Sequence, residues 1–283
     1  MQIARTAAEV RALRPSLGNL GFVPTMGALH DGHMSLVAMA AGRCDAVAAS
    51  IFVNPTQFAP HEDLAQYPRP IEADLARLEA ANVAVVFLPT ADEIYPAGFD
   101  TRIEVGRIAD RLEGAVRPGH FSGVATVVAK LFNIMTPDIA FFGQKDVQQT
   151  RVIRQLVRDL NLPVEIVVGP TLREPDGLAL SSRNVYLSEA DRAQSTALFR
   201  GLSAAVEAFA RGIRDGETLR RLAEAPIRQT TGVIDYVSVA DPDTLEELDQ
   251  VDPKGAVLSL AVRFGPTRLL DNVILDGNII GDA

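Results

Sequence analysis

Two histidines three residues apart, His30 and His33, lie in the stretch 21–36, which reads GFVPTMGALHDGHMSL. At the first turn of a helix, that spacing puts both imidazoles on one face. The apolar run 21–24 has the length and polarity of a buried strand, Gly27 marks a turn, and Leu36, Val37 and Met39 begin a helical pattern. A strand feeding a small-residue turn and a helix start is an anion site in α/β proteins, because unpaired backbone N–H groups and the helix dipole face the ligand. The expected chemistry is two imidazoles beside a nucleotide's phosphates. Metal ligation, or two solvated side chains at a helix start, would use the same tetrapeptide, but no cysteine or third histidine lies near enough in sequence to complete a zinc set.

Three later stretches carry suitable polar groups. Asn54-Pro55-Thr56-Gln57-Phe58 follows an apolar run at 45–53, which places the Gln57 amide at a strand's carboxyl end. An amide there donates to a carboxylate and accepts from a hydroxyl, as a hydroxy acid requires, although an ordinary loop glutamine has the same pattern. Asp63 and Asp74 read as solvated surface acids. In Phe141-Phe142-Gly143-Gln144-Lys145-Asp146-Val147-Gln148-Gln149, Gly143 permits close approach to a ligand, Lys145 offers a compact cation, Asp146 caps a helix and Gln149 lies in its first turn. The same residues also suit a plain strand–cap–helix junction, with both phenylalanines in the core. In 173–184 (REPDGLALSSRN), Ser181, Ser182 and Arg183 form a donor set for triphosphate oxygens, built from residue types that also cap helices and line loops. His120, in Arg117-Pro118-Gly119-His120-Phe121, reads as structural or at the edge of a site.

Taken in order, PTMGALHxGH, NPxQF, FFGQKDxQQ and REPDGLxxSSRN resemble the HxGH nucleotidyltransferase superfamily and, within it, the pantothenate synthetase (pantoate–β-alanine ligase) family. The resemblance covers residues 21–184. It implies that ATP and (R)-pantoate give a pantoyl adenylate and pyrophosphate, after which the amine of β-alanine attacks the acyl group to give pantothenate and AMP. It further implies ATP contacts at Met26, Gly27, Ala28, Leu29, His30, Asp31, Gly32, His33, Gly143, Gln144, Lys145, Asp146, Leu172, Leu180, Ser181, Ser182 and Arg183. Pantoate would meet Gln57 and Gln149, and β-alanine Gln57, with His33 the principal catalytic residue as a donor to the phosphate. Mg²⁺ on the triphosphate and a homodimer are implied as well, while the protein ligands of the metal and the dimer interface stay open. Leu180 stands where the family commonly has Met, a swap of similar volume that adenine packing should survive. Alternatives are another adenylyl-transferring enzyme of the superfamily and a non-catalytic nucleotide sensor. Gln57 and Gln149 favour a small hydroxy acid, and both histidines with Lys145 favour catalysis.

The elements that must position these residues are legible as patterns. Continuous apolar runs at 45–53 and 83–88 are strands covered on both faces, and Ile71, Leu75 and Leu78 form a helical stripe within 71–81. Helices at 122–135 and 146–160 and strands at 138–142 and 164–169 complete five strands with intervening helices. This is a Rossmann-like α/β fold, a doubly wound parallel sheet. After residue 175 come one long helix at 188–210, capped by Ser188 with Asp191, a second at 216–229, and short antiparallel strands at 234–240, 256–264 and 273–275. The expected organisation is a nucleotide- and pantoate-binding domain at 1–175, a smaller α+β lid domain at 176–283, and a hinge at 173–177. A net charge of −9 disfavours a nucleic-acid partner, and the lone Cys44 excludes an internal disulfide framework. No stretch approaches the ~20 apolar residues of a membrane span, so a cytoplasmic protein is expected.

Overall fold

The computed structural model describes residues 1–60 and 62–276. They form two compact units, Met1–Gln144 with Gln148–Pro170, and Lys145–Val147 with the chain from Thr171 onward.

The first unit is built on six parallel strands: β1 (Gln2–Ala4), β2 (Leu20–Thr25), β3 (Ala46–Ile51), β4 (Val85–Phe87), β5 (Ile139–Gly143) and β6 (Glu165–Gly169). Between them run α1 (Ala7–Leu13), α2 (Asp31–Ala41), α3 (Ile71–Ala80), the short α4 (Ala91–Ile94) and α5 (Glu113–Val116), α6 (His120–Met135) and α7 (Val147–Asp159). Successive strand residues point to opposite faces, and both faces are apolar. Phe22, Val85, Phe87 and Phe142 pack with α1, α6 and α7, whereas Val23, Val86 and Phe141 pack with Leu36, Val37 and Leu78 of α2 and α3. The strand order is β1-β4-β3-β2-β5-β6, so the winding reverses between β2 and β5, which pair at Gly21↔Ile139 and Phe22↔Ala140. In such sheets ligands sit beyond the carboxyl ends of the strands at that switch point. The expected Rossmann-like sheet is therefore present, with one further strand. β1 has only three residues, two of them exposed, and carries no apolar run to reveal it.

In the second unit, α8 (Glu189–Ser195), α9 (Ala197–Ala210) and α10 (Gly216–Ile227) accompany an antiparallel sheet of β7 (Val233–Ala240), β8 (Ala256–Phe264) and β9 (Thr267–Leu275). Leu198, Leu202, Ala223, Ile227, Leu258, Leu260 and Phe264 form its core. The expected single helix at 188–210 is broken at Thr196. Ser195 Oγ donates to the Arg192 carbonyl and Thr196 Oγ1 to that of Ala193, a competition for acceptors that weakens the helical ladder. The Ser188 cap is present, accepting from Asp191 N at 3.1 Å. β9 is longer than the expected 273–275 because it pairs with β8 from the Phe264↔Thr267 turn onward. Among the described residues no helix is long and apolar enough to cross a membrane.

Candidate functional site

The turn after β2 is built from buried polar contacts. Thr25 Oγ1 donates to the Ser50 carbonyl at 2.7 Å and accepts from Gly27 N at 3.1 Å. Gly27 (φ +83°) and Ala28 (φ +50°) are both left-handed. Ala28 N and Leu29 N donate to the two carboxylate oxygens of Asp74, at 2.7 and 2.8 Å. Asp74, expected on the surface, is 1% exposed. It falls three residues after Ile71 and four before Leu78, on the buried stripe of α3, a position from which the sequence pattern could have marked it. Arg77 donates to the Leu29 carbonyl at 2.9 Å and pairs with the Asp31 carboxylate.

His30 is the N-cap of α2, in extended conformation, and its Nδ1 accepts from Gly32 N at 3.2 Å. His33 Nδ1 accepts in return from His30 N at 3.3 Å, so two imidazoles make a reciprocal capping box. Their ring centroids are 4.1 Å apart. With Nδ1 of each ring accepting, the neutral form carries its proton on Nε2 and is a donor there. The expectation of unpaired amides at this turn is overturned. The N–H groups of Gly27, Ala28, Leu29, His30, Gly32 and His33 all find acceptors, in Thr25, Asp74, the two rings and the His30 carbonyl.

Gln57 ends a 3₁₀ turn, Pro55–Gln57, directly after β3. Asn54, 1% exposed, governs it. Its Oδ1 accepts from Tyr95 OH at 2.7 Å and Thr56 Oγ1 at 2.9 Å, and its Nδ2 donates to Gln57 Oε1 at 3.0 Å and the Gly123 carbonyl at 3.1 Å. The Gln57 amide nitrogen then reaches Met26 Sδ at 3.2 Å, which brings the turns after β2 and β3 together. Gly123 is required because a Cβ there would collide with the Thr56 carbonyl and Gln57 N. Sequence reasoning chose Gln57 and passed over Asn54, whose place before a proline at a strand end was the available signal.

His120 lies behind Gln57, with Nδ1 2.9 Å from its carbonyl oxygen and Nε2 3.1 Å from Arg117 Nη1. Arg117 is held in turn by Glu62, at 2.6 and 2.7 Å. Because Nε2 faces a permanent donor, Nδ1 carries the proton and donates to Gln57. Burial, then the Arg117 charge, push the imidazole down to about 4. At Glu62 burial opposes ionisation, but the Arg117 hydrogen bonds and charge outweigh it and lower the pKa. These contacts give His120 a structural role. They also set a pH dependence. A histidine that binds its proton more weakly when folded stabilises the protein above the unfolded pKa of about 6.5, and that stability is lost as pH falls through the window toward about 4. From about pH 8 to about pH 5, urea unfolding should show the native protein losing roughly 1–2 kcal/mol more than His120→Asn, the range allowing for partial exposure. Parallel pH profiles for the two proteins would contradict this.

Gly143 closes β5, and Gln144, Lys145 and Asp146 form the 3₁₀ turn that follows. Lys145 Nζ is 3.6 Å from Asp146 Oδ1, and the Lys145 carbonyl accepts from Asn272 Nδ2 at 2.8 Å. Gln149 is half-buried on α7 and, among the described residues, makes no side-chain hydrogen bond to Gln57. Its neighbour Gln148 is structural, donating to the Ile108 and Arg111 carbonyls and accepting from Glu113 N.

Residues 173–177, expected as a hinge, lie at the tip of a hydrogen-bonded hairpin inside the second unit. Arg173 bridges Ala179, Glu174 N donates to the Leu178 carbonyl at 2.8 Å, and Leu180 N donates to the Leu172 carbonyl at 2.9 Å, setting Leu172 beside Leu180. Arg173 is clamped by both oxygens of Asp271, at 2.6 and 2.9 Å, and Arg192 pairs with Glu174 and Asp176. Ser181 caps the 3₁₀ turn Ser182–Tyr186 by accepting from Arg183 N at 3.3 Å. Asn184 Nδ2 ties that turn to Glu174 Oε1 and the Ala179 carbonyl. Among the described residues no group of three or more His, Cys, Asp or Glu side chains forms a metal cage, and Asp74 spends both oxygens on backbone amides.

A parallel sheet whose winding reverses at β2 and β5, with a paired-histidine helix start beyond that point, defines a Rossmann-like α/β protein of the HxGH type. The chain belongs to the pantoate–β-alanine ligase family, whose model matches residues 2–274. It is similar to the pantothenate synthetase of Chloroflexus aggregans, at 59% identity over 276 residues, covering 97% of this chain and 100% of the relative. The enzyme called pantothenate synthetase 1 in Bradyrhizobium diazoefficiens is 50% identical, with 97% of this chain and 98% of the relative covered. Among solved structures, the pantothenate synthetase of Thermus thermophilus superposes with a TM-score of 0.93 at 48% identity, over 96% of this chain and 99% of that one. The pantoate–β-alanine ligase of Francisella tularensis, solved with β-γ ATP and β-alanine, superposes at 0.78 and 37% identity, over 97% of each chain.

Proposed function

We propose that this chain joins (R)-pantoate to β-alanine at the expense of ATP, an AMP-forming ligase that makes an amide bond. A pantoate carboxylate oxygen attacks the α-phosphorus of ATP and the bond to the bridging oxygen breaks, releasing pyrophosphate and leaving pantoyl adenylate. The β-alanine amine then attacks the acyl carbon, the bond to the AMP oxygen breaks and the amine proton is lost. The observation that carries this reading is the pair of imidazoles locked as Nε2 donors in a chain that matches the ligase family from residue 2 to residue 274. Bringing a carboxylate to a triphosphate requires such donors, because negative charge builds on the phosphates as the bond breaks.

In this reading, Met26 to His33, Gly143 to Asp146, Leu172 and Leu180 to Arg183 bind ATP. Gln57 and Gln149 bind pantoate, Gln57 meets β-alanine, and His33 is the catalytic donor. Mg²⁺ enters with ATP as part of the substrate. A homodimer in the cytoplasm is the working assignment for the assembly and its compartment.

The test is product analysis with ATP, Mg²⁺ and (R)-pantoate, with and without β-alanine. Pantothenate formed only with every substrate present, alongside equal AMP and pyrophosphate, is the expected result. ADP and phosphate as products, or turnover with a different acceptor and none with pantoate, would overturn the assignment.

A further inference from the structure

We infer that Asp74 and Arg77, two residues of α3 outside every motif that marks the site, are positioning residues for the paired imidazoles. The activity readout of this inference rests on the proposed function, and its structural readout does not. The chain between β2 and α2 turns through two successive left-handed residues, Gly27 and Ala28, the second with a side chain that disfavours this conformation. Such a conformation persists only where its surroundings over-determine it. Asp74 supplies the constraint. Its oxygens take Ala28 N at 2.7 Å and Leu29 N at 2.8 Å, and Oδ2 lies 3.0 Å from where a Cβ on Gly27 would stand. The carboxylate thus fills the floor of the turn, at a place where it is 1% exposed. Arg77 takes the other side of the same residue, donating to the Leu29 carbonyl at 2.9 Å, and it pairs with Asp31.

Leu29 and Asp31 flank His30. One flank is therefore held at both its amide and its carbonyl, and the other by its carboxylate, all from α3. His33 inherits the constraint, since its Nδ1 hydrogen bond is made to His30 N. A displaced turn would carry both Nε2 donors with it, and transition-state contacts are sensitive to shifts of about 1 Å.

The test uses Asp74→Asn and Arg77→Ala in the full chain. Asparagine keeps the volume but has one acceptor oxygen, so one of the two amides loses its partner and faces an N–H₂ group. Without any ligand, amide exchange at Ala28 and Leu29 should accelerate by about tenfold or more in Asp74→Asn, while exchange in β2 and β5 stays as it was. In single-turnover assays, pyrophosphate release should fall by about tenfold or more. Conversion of supplied pantoyl adenylate and β-alanine should fall by a clearly smaller factor, because the pyrophosphate bond is already broken in that substrate and Gln57 keeps its contacts to Asn54 and His120. The exposed Arg77→Ala, which leaves the core intact, should show the same selective loss at about threefold, and it decides the matter should Asp74→Asn fail to fold. Unchanged exchange at Ala28 and Leu29, or both half-reactions falling together, would overturn the inference. Altered exchange in a protein that makes no pantothenate under any condition would keep the brace and remove the proposed function.

Discussion

His33→Ala releases pyrophosphate from ATP and (R)-pantoate about 10²–10⁴ times more slowly than the native chain, and it folds. Both halves of that expectation follow from the ring's two nitrogens. Nδ1 accepts from His30 N in the capping box, and Nε2 is the donor proposed to meet the phosphate. Loss of the first function costs a helix cap, about 1 kcal/mol, which a chain with two large cores tolerates. Loss of the second removes a donor whose contact strengthens as charge moves onto the leaving pyrophosphate, so the rate falls more than ATP affinity does. His30, 4.1 Å away between ring centroids, remains in that variant. The measurement is single-turnover pyrophosphate release, with circular dichroism and a urea midpoint as controls. A folded His33→Ala protein that forms adenylate at a near-native rate would remove His33 from its role.

The elements that carry this chemistry were legible where pattern and length agree. Short apolar runs revealed β2 to β6, those at 45–53 and 83–88 as strands covered on both faces, and the stripe of Ile71, Leu75 and Leu78 revealed α3. The motifs at the ends of β2, β3 and β5 fell beside one another because parallel strands put all their carboxyl ends on one edge of the sheet. What escaped depends on pairings distant in sequence or on residues used against type. Asp74 interrupts an apolar stripe for the sake of two amides 45 and 46 residues away, so charge alone read it as surface. His30 as an N-cap escapes capping rules written for Ser, Thr, Asp and Asn. Amides that the strand–turn–helix pattern offers to an anion are taken instead by Thr25, Asp74 and the imidazoles, which only the folded loop reveals. His120 acquires its meaning from a carbonyl 63 residues away.

The largest stability effect expected is that of Asp271→Ala, a loss of about 3–5 kcal/mol in the second unit. Asp271 is 2% exposed, accepts twice from Arg173, and also takes Asn272 N at 2.8 Å. Truncating it leaves a guanidinium with the Gly177 carbonyl at 3.0 Å and the Phe199 ring at 4.8 Å, but no counter-charge. Most of the cost is that stranded charge rather than the net worth of the pair, and the arginine's partial exposure, 19% at the side chain, argues for the lower end. The distinction can be measured. Replacing both partners by apolar groups, Arg173→Met with Asp271→Leu, should recover more than about half of the loss in urea unfolding, because no buried charge is then left alone. Adenylation by the double variant should nonetheless stay below native if the proposed ATP contacts hold, since the clamp anchors the hairpin that sets Leu172 beside Leu180 and leads into the Ser181–Arg183 turn. If the double variant recovers native stability and native ATP use together, the ion pair has no positioning role. If the single variant loses less than about 1 kcal/mol, Arg173 has found another counter-charge, for which Glu174, next in the chain, is the first place to look.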